Sequence, residues 1–181
     1  LKKTMMMKLN FQIYPPDFEK GGDGEFENWA DADLGGDKTA KRSTSGGCGF
    51  LKGSKSRALV HAHCKRQGQT GISTPETETV AMVVLGKKVI PLHMIAQRLL
   101  KRFLKLSYKG DNSACERVIG TGMSQALSYM KRTAGLSLRW ANENMSEFVE
   151  RTPTDENIGD VFTKALETSK FEKFRTLLGI W

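Results

Sequence analysis

Apolar and polar positions change period along the chain, and those changes mark its elements. Phe26–Asp33 reads as a strand stopped by Gly35-Gly36, and Cys48–Lys52 and Ala58–Cys64 follow as two more, separated by glycines and Lys/Ser-rich turns. This spacing predicts an antiparallel meander. Thr74 followed by Pro75 predicts a helix start, a hydroxyl cap with proline in the first helical position. The helix carries Val80, Met82, Val83, Val84 and Leu85, apolar enough to be buried against a sheet. Gly86 and Pro91 predict a break, after which Leu92–Phe103 resumes as a basic amphipathic helix. Leu104–Tyr108 alternates and predicts a fourth strand. A helix is expected after Asp111, another over Ser124–Thr133, and a short fifth strand over Phe148–Thr152. Thr154 is placed to cap a last helix with apolar positions Ile158, Val161, Phe162, Ala165 and Leu166. Phe171, Phe174, Leu177 and Leu178 continue it as a second amphipathic segment. The order β-β-β-α-β-α-β-α predicts an α/β domain with helices packed on a mixed sheet.

A chain of 181 residues suffices for one such domain with a tail. Residues 1–24 are basic and Met-rich, then turn-rich at Pro15-Pro16 and Gly21–Gly24, and read as an arm or connector into a domain covering 25–181. The chain opens on Leu1-Lys2-Lys3-Thr4 rather than Met and is read as part of something larger. The longest dense apolar run, around Val80–Leu85, is too short to span a bilayer, and no secretory signal is found, so neither a membrane partner nor secretion is expected. Cys48, Cys64 and Cys115 are odd in number and lack a CxxC spacing, which predicts reduced thiols in the cytoplasm or nucleus. The net charge of +8 changes the picture most, because it favours polyanionic partners, nucleic acid before an anionic membrane.

Acidic residues are therefore conspicuous where they occur among the predicted elements: Asp31 in the first strand, Glu78 in the first turns of the first helix, Asp111 just past the fourth strand, Asp160 in the final helix. Singly each has an ordinary explanation. Asp160 would pair with Lys164 at i+4, Glu78 would complement a helix dipole, Asp111 would cap a helix, and Asp31 would be an exposed strand residue.

The residues around them carry a resemblance. Trp29–Asp37, Arg42-Ser43-Thr44-Ser45-Gly46, Ile72–Glu78, Tyr108–Ala114, Thr152-Pro153-Thr154 with Gly159–Leu166, and the tail Lys170-Phe171-Glu172 with Leu177-Leu178-Gly179 resemble, in order, segments of the ribonuclease H domain of copia-type retrotransposon polyproteins. Leu1–Thr4 resembles the link that joins reverse transcriptase to that nuclease. The resemblance implies a ribonuclease H-like α/β fold with a mixed five-stranded sheet, three strands antiparallel and the others parallel, flanked by helices. It implies an RNA–DNA hybrid as substrate, an upstream reverse transcriptase domain as partner, and residence in a cytoplasmic virus-like particle or the nucleus. It also implies that Asp31, Glu78, Asp111 and Asp160 are catalytic and hold two Mg²⁺ or Mn²⁺ ions, Asp31 and Asp111 bridging the pair, Glu78 serving one ion and Asp160 the other.

The chemistry accounts for such an acid set. Two carboxylates about 4 Å apart repel by roughly 4 kcal/mol at an effective dielectric near 20, so converging acids need bound cations. Mg²⁺ takes hard oxygen ligands, and two ions can stabilise both the attacking and the leaving oxygen of a phosphodiester displacement. Asp33 shares a strand face with Asp31, but the family register gives the ligand role to Asp31. Ser43, Thr44, Ser45, Ser73 and Asn112 are candidate contacts to the hybrid's minor groove, or turn and capping residues. His61, His63 and Cys64 offer three zinc ligands with no fourth, and no zinc site is read there. The chain departs from the family at Leu34, at Pro75 and Thr77, and at Thr133–Leu138, where a usual histidine is missing. A decayed or domesticated nucleic-acid-binding module is the alternative to an active nuclease. An integrase shares the fold but uses a three-acid site of different spacing.

Overall fold

Alternation along the central strand decides which layer each residue enters. In the computed structural model, which describes residues 8–37, 39 and 41–181, β1 (Glu25–Asp37) buries Phe26 and Ala30 on one face and Trp29 on the other. It pairs antiparallel with β2 (Arg42–Lys52) from Glu25↔Lys52 to Asp33↔Thr44, and β2 pairs antiparallel with β3 (Arg57–Arg66). All three strands outrun the expected bounds, and the predicted stop at Gly35-Gly36 is instead an irregularity in register between Asp33 and Asp37.

The chain then crosses the sheet through α1 (Thr74–Leu100) and returns as β4 (Lys105–Gly110), parallel to β1. After α2 (Ser113–Thr121), α3 (Met130–Thr133) and α4 (Leu138–Met145), β5 (Val149–Arg151) adds parallel to β4, giving the sheet order β3-β2-β1-β4-β5. A 3₁₀ turn, Ile158–Phe162, and α5 (Thr168–Leu177) close the chain. One core joins Phe26, Ala30, Leu106 and Tyr108 of the sheet to Val83, Leu85 and Val89 of α1 and Ile119 of α2. On the opposite face Trp29, Cys48 and Phe50 pack under Ile158, Phe174 and Leu178.

Three expectations are corrected. The first helix does not break. Gly86 lies inside it where Met145 of α4 crosses, and a Cβ there would stand 2.5 Å from the Met145 Sδ. Pro91 sits on the exposed side of α1, where the carbonyl its ring leaves without a partner can turn to water. The continuous α1 is long and apolar enough to cross a membrane by length and composition, but half of its most apolar window is buried inside this fold. Second, the helix expected over Ser124–Thr133 shrinks to α3, and α4 forms where none was expected, started by Ser137 Oγ accepting from the Trp140 amide. Third, Ile158–Leu166 is a 3₁₀ turn followed by irregular chain rather than an α-helix, with Asn157 as its cap instead of Thr154.

The arm before β1 is stitched onto the domain. Leu9 bridges Ile180 and Gln12 bridges Arg57. Arg102, just past α1, donates to the carbonyls of Asp17 (3.1 Å) and Gly22 (2.8 Å).

Candidate metal centre

Parallel pairing of β1 with β4 runs through Trp29↔Lys109, so their C-terminal ends bring Asp31 and Asp111 level beside one another. Between them comes the N-terminus of α1. Its cap is Ser73, not Thr74: Ser73 Oγ accepts from the Glu76 amide, and Pro75 is the second helical residue. The buried Glu76 carboxylate turns back to accept from the Ile72 amide at 2.7 Å, which fixes the entry of the chain and points Glu78 at the strand ends. Asn112 Oδ1 accepts from the amides of Ala114 and Cys115, starting α2 directly after Asp111.

Ligand oxygens of Asp31, Glu78 and Asp111 all lie within 4.8 Å of one another, the first two residues buried and the third half-buried. Among the described residues this is the one such convergence of His, Cys, Asp or Glu. Burial, followed by the charges of Asp31 and Asp111, pushes the Glu78 carboxyl up to about 9. Fully ionised, the group would carry more negative charge than its surroundings balance, and its hard oxygen donors suit a divalent cation such as Mg²⁺.

Asp160 reaches the site differently. It is buried in the 3₁₀ turn, and Lys164 Nζ stands 2.7 Å from its Oδ1 and 3.0 Å from Asp31 Oδ1. Lys170 Nζ holds the other Asp160 oxygen at 2.6 Å. Burial works against the charge of Asp160, but hydrogen bonds from these two lysines keep its carboxyl below the usual range. The i+4 pairing with Lys164 thus exists, yet Asp160 is not a surface residue. Burial raises the Asp31 carboxyl, and the hydrogen bond from Thr163 Oγ1 only partly offsets this.

The turn can lie this close only because two glycines permit it. A Cβ on Gly159 would meet Asp31 Cβ at 2.8 Å, and one on Gly46 would meet Phe162 Cβ at 2.6 Å. Asn157 Nδ2 donates to the Ala30 carbonyl (3.1 Å) and Asp31 Oδ1 (3.4 Å). Sequence reasoning missed Asn157, Thr163 and Lys170. Thr163 lies within the Gly159–Leu166 motif and Lys170 opens the tail motif, whereas Asn157 lies in neither.

The candidate substrate contacts are engaged within the fold. Buried Ser43 Oγ accepts from the Gly35 amide (3.2 Å) and buried Ser45 Oγ from Gln67 Nε2 (2.9 Å). Thr44 is half-buried on β2, while Ser73 and Asn112 cap helices. His61 Nε2 lies 3.3 Å from His63 Nδ1, and neither belongs to a metal-type cluster.

No protein-family model matches the chain. It is 28% identical over 168 residues to the retrovirus-related Pol polyprotein from transposon TNT 1-94 of Nicotiana tabacum, a match covering 88% of this chain but only 12% of that polyprotein. Among solved structures it is similar to RNase H1 from the halophilic archaeon Halobacterium salinarum, with a TM-score of 0.53, 13% identity, and coverage of 77% of this chain and 95% of that one. It is equally similar, at 0.53 and 8% identity over 84% and 97% of the two chains, to the N-terminal RNase H domain of Rv2228c from Mycobacterium tuberculosis. The chain thus has a ribonuclease H-like fold and is similar in sequence to a short stretch of a retrotransposon Pol polyprotein.

Proposed function

We propose that this chain is a metal-dependent endoribonuclease that cuts the RNA strand of RNA–DNA hybrids. The observation that carries the reading is the convergence of Asp31, Glu78 and Asp111 at the ends of parallel strands, with Lys164 on Asp31 as the one ion pair to them among the described residues. These residues, together with Asp160, would hold two divalent cations, Mg²⁺ or Mn²⁺. When bound, such ions supply Lewis-acid stabilisation of the attacking and leaving oxygens of a phosphodiester displacement. The chain's own contribution is positional. Asn157 and Thr163 fix the orientation of Asp31, and Glu76 fixes the helix start that carries Glu78. The charge of +8 draws the polyanionic hybrid to the surface. Water as the nucleophile leaves a 5′-phosphate and a 3′-hydroxyl.

In a longer polyprotein, residues 1–24 would link this domain to a reverse transcriptase that shares the same hybrid. The test is incubation with hybrids labelled in one strand. RNA cut into products with 3′-hydroxyl ends, with the DNA strand and free single-stranded RNA spared, is the expected result. Binding of the hybrid without cutting would instead mark a nucleic-acid-binding module that has lost the chemistry.

A further inference from the structure

The acids fall into two settings that differ in what balances them. Around Asp31, Glu78 and Asp111 no ion pair from the chain reaches Glu78 or Asp111 among the described residues. Between Asp31 and Asp160 the opposite holds, because Lys164 Nζ sits within salt-bridge distance of both carboxylates and Lys170 closes the far side of Asp160. Lys164 arrives there by backbone geometry. The 3₁₀ turn ends with the Lys164 amide donating to the Asp160 carbonyl at 2.9 Å, which doubles the chain back so that the ammonium overlies the carboxylate. Its side chain remains 37% exposed, so it has a route to solvent.

We propose that Lys164 is a tethered competitor for the second divalent cation, so that the centre takes up its ions in sequence. This rests on the reading above that the acids hold divalent cations. Asp31, Glu78 and Asp111 would hold the first ion, since no ion pair from the chain reaches Glu78 or Asp111 among the described residues. Asp31 and Asp160 would hold the second only once the Lys164 ammonium has swung away from them, since two cations cannot stand on the same oxygens in a buried site without strong repulsion. Lys164 is thus a positioning residue: in the absence of the second ion it holds Asp31 and Asp160 together. A backbone phosphate of the incoming hybrid is an anion of the right kind to draw it away.

The experiment is a Mn²⁺ titration of the full chain, with free Mn²⁺ followed by electron paramagnetic resonance, for the wild type, Lys164→Met, Lys164→Gln, Lys164→Arg and Asp111→Asn. Circular dichroism establishes that each variant is folded. The wild type should bind one Mn²⁺ tightly and a second at least about tenfold more weakly. Lys164→Met and Lys164→Gln should tighten the second site by about tenfold or more, whereas Lys164→Arg, which keeps the charge, should not. Asp111→Asn should weaken the first site. Two equally tight sites in the wild type, or a second site unmoved in folded Lys164→Met and Lys164→Gln, would overturn the role of Lys164 while leaving the metal centre standing. A wild type that binds no Mn²⁺ would overturn the metal centre itself, and this inference with it.

Discussion

Glu27 and Asp31 lie four residues apart on the same face of β1, both buried, and their surroundings are opposite. Glu27 receives Lys52 Nζ at 2.6 Å, Lys109 Nζ at 3.0 Å, Arg57 at 3.5 Å and the Trp29 indole N–H at 3.0 Å. Burial works against its charge, yet the hydrogen bonds from Lys52, Trp29 and Lys109 bring its carboxyl down to about 2. At the other end of the strand Asp31 faces Glu78 and Asp111 with only Lys164 paired to it, and burial, followed by the charges of Asp31 and Asp111, drives the Glu78 carboxyl up to about 9. A carboxylate balanced by the protein's own cations is part of the scaffold. Carboxylates gathered without enough of them destabilise the fold unless something else brings positive charge, and that is the signature of a cation site.

The sharpest way to break the comparison is to neutralise one acid at each end. Asp31→Asn should reduce hybrid cleavage on the order of 10³-fold or more, the scale seen when a group that stabilises transition-state charge is removed. Glu27→Gln should leave cleavage per folded molecule nearly unchanged at low temperature but cost about 3–5 kcal/mol of stability, since it strands the cations around it. Denaturant unfolding reads this directly. The same variant should flatten the acid limb of the stability curve. The depressed carboxyl of Glu27 contributes stability that is present above about 4.5 and lost as pH falls towards about 2.

Glu78→Gln tests the opposite sign. An unfolded carboxylate ionises near 4.5 and the folded one near 9, so between those values the folded protein keeps a proton the unfolded chain has released. Stability should therefore fall as pH rises through that window in the wild type, and less so in the variant. In chelator Glu78→Gln should be the more stable protein at neutral pH, by on the order of 3 kcal/mol. Added Mg²⁺ should remove the advantage by stabilising only the wild type. Equal pH slopes for the two proteins in chelator would mean that neither burial nor the neighbouring acids raise the Glu78 carboxyl. The smallest effect belongs to Asp33→Asn. Its half-buried carboxylate packs over Gly36 at the register irregularity of β1, outside the three-acid group, and cleavage should change by no more than about twofold.

The contrast between the two ends of β1 also separates what was legible in the sequence from what was not. The meander, the strand at Leu104–Tyr108 and the start of α1 to within a residue were readable because alternation and caps are local signals. Asp31, Glu78 and Asp111 were readable through the residues beside them, and the fold brings them together. Glu27 carried no signal. Its partners Lys52 and Lys109 come from neighbouring strands and become neighbours only once register is known. α1 runs unbroken through Gly86, which lies against Met145, fifty-nine residues away, a contact that helix propensity alone does not register. The mistaken helix at Asp160 has a related cause. The spacing of Ile158, Val161 and Phe162 suits an α-helix, but the turn is instead shaped by Asn157, Gly159 and the close approach to β1 and β2.

The central claim is that the unbalanced end of β1 is a divalent-cation centre that cuts hybrids. It is tested most directly by measuring cleavage of a labelled RNA–DNA hybrid by the wild type and by folded Asp111→Asn, each in Mg²⁺ and in excess chelator. Cutting by the wild type in Mg²⁺ alone, with the variant inactive in both conditions, is the predicted result. Undiminished turnover by Asp111→Asn, or cutting by the wild type in chelator, would contradict it.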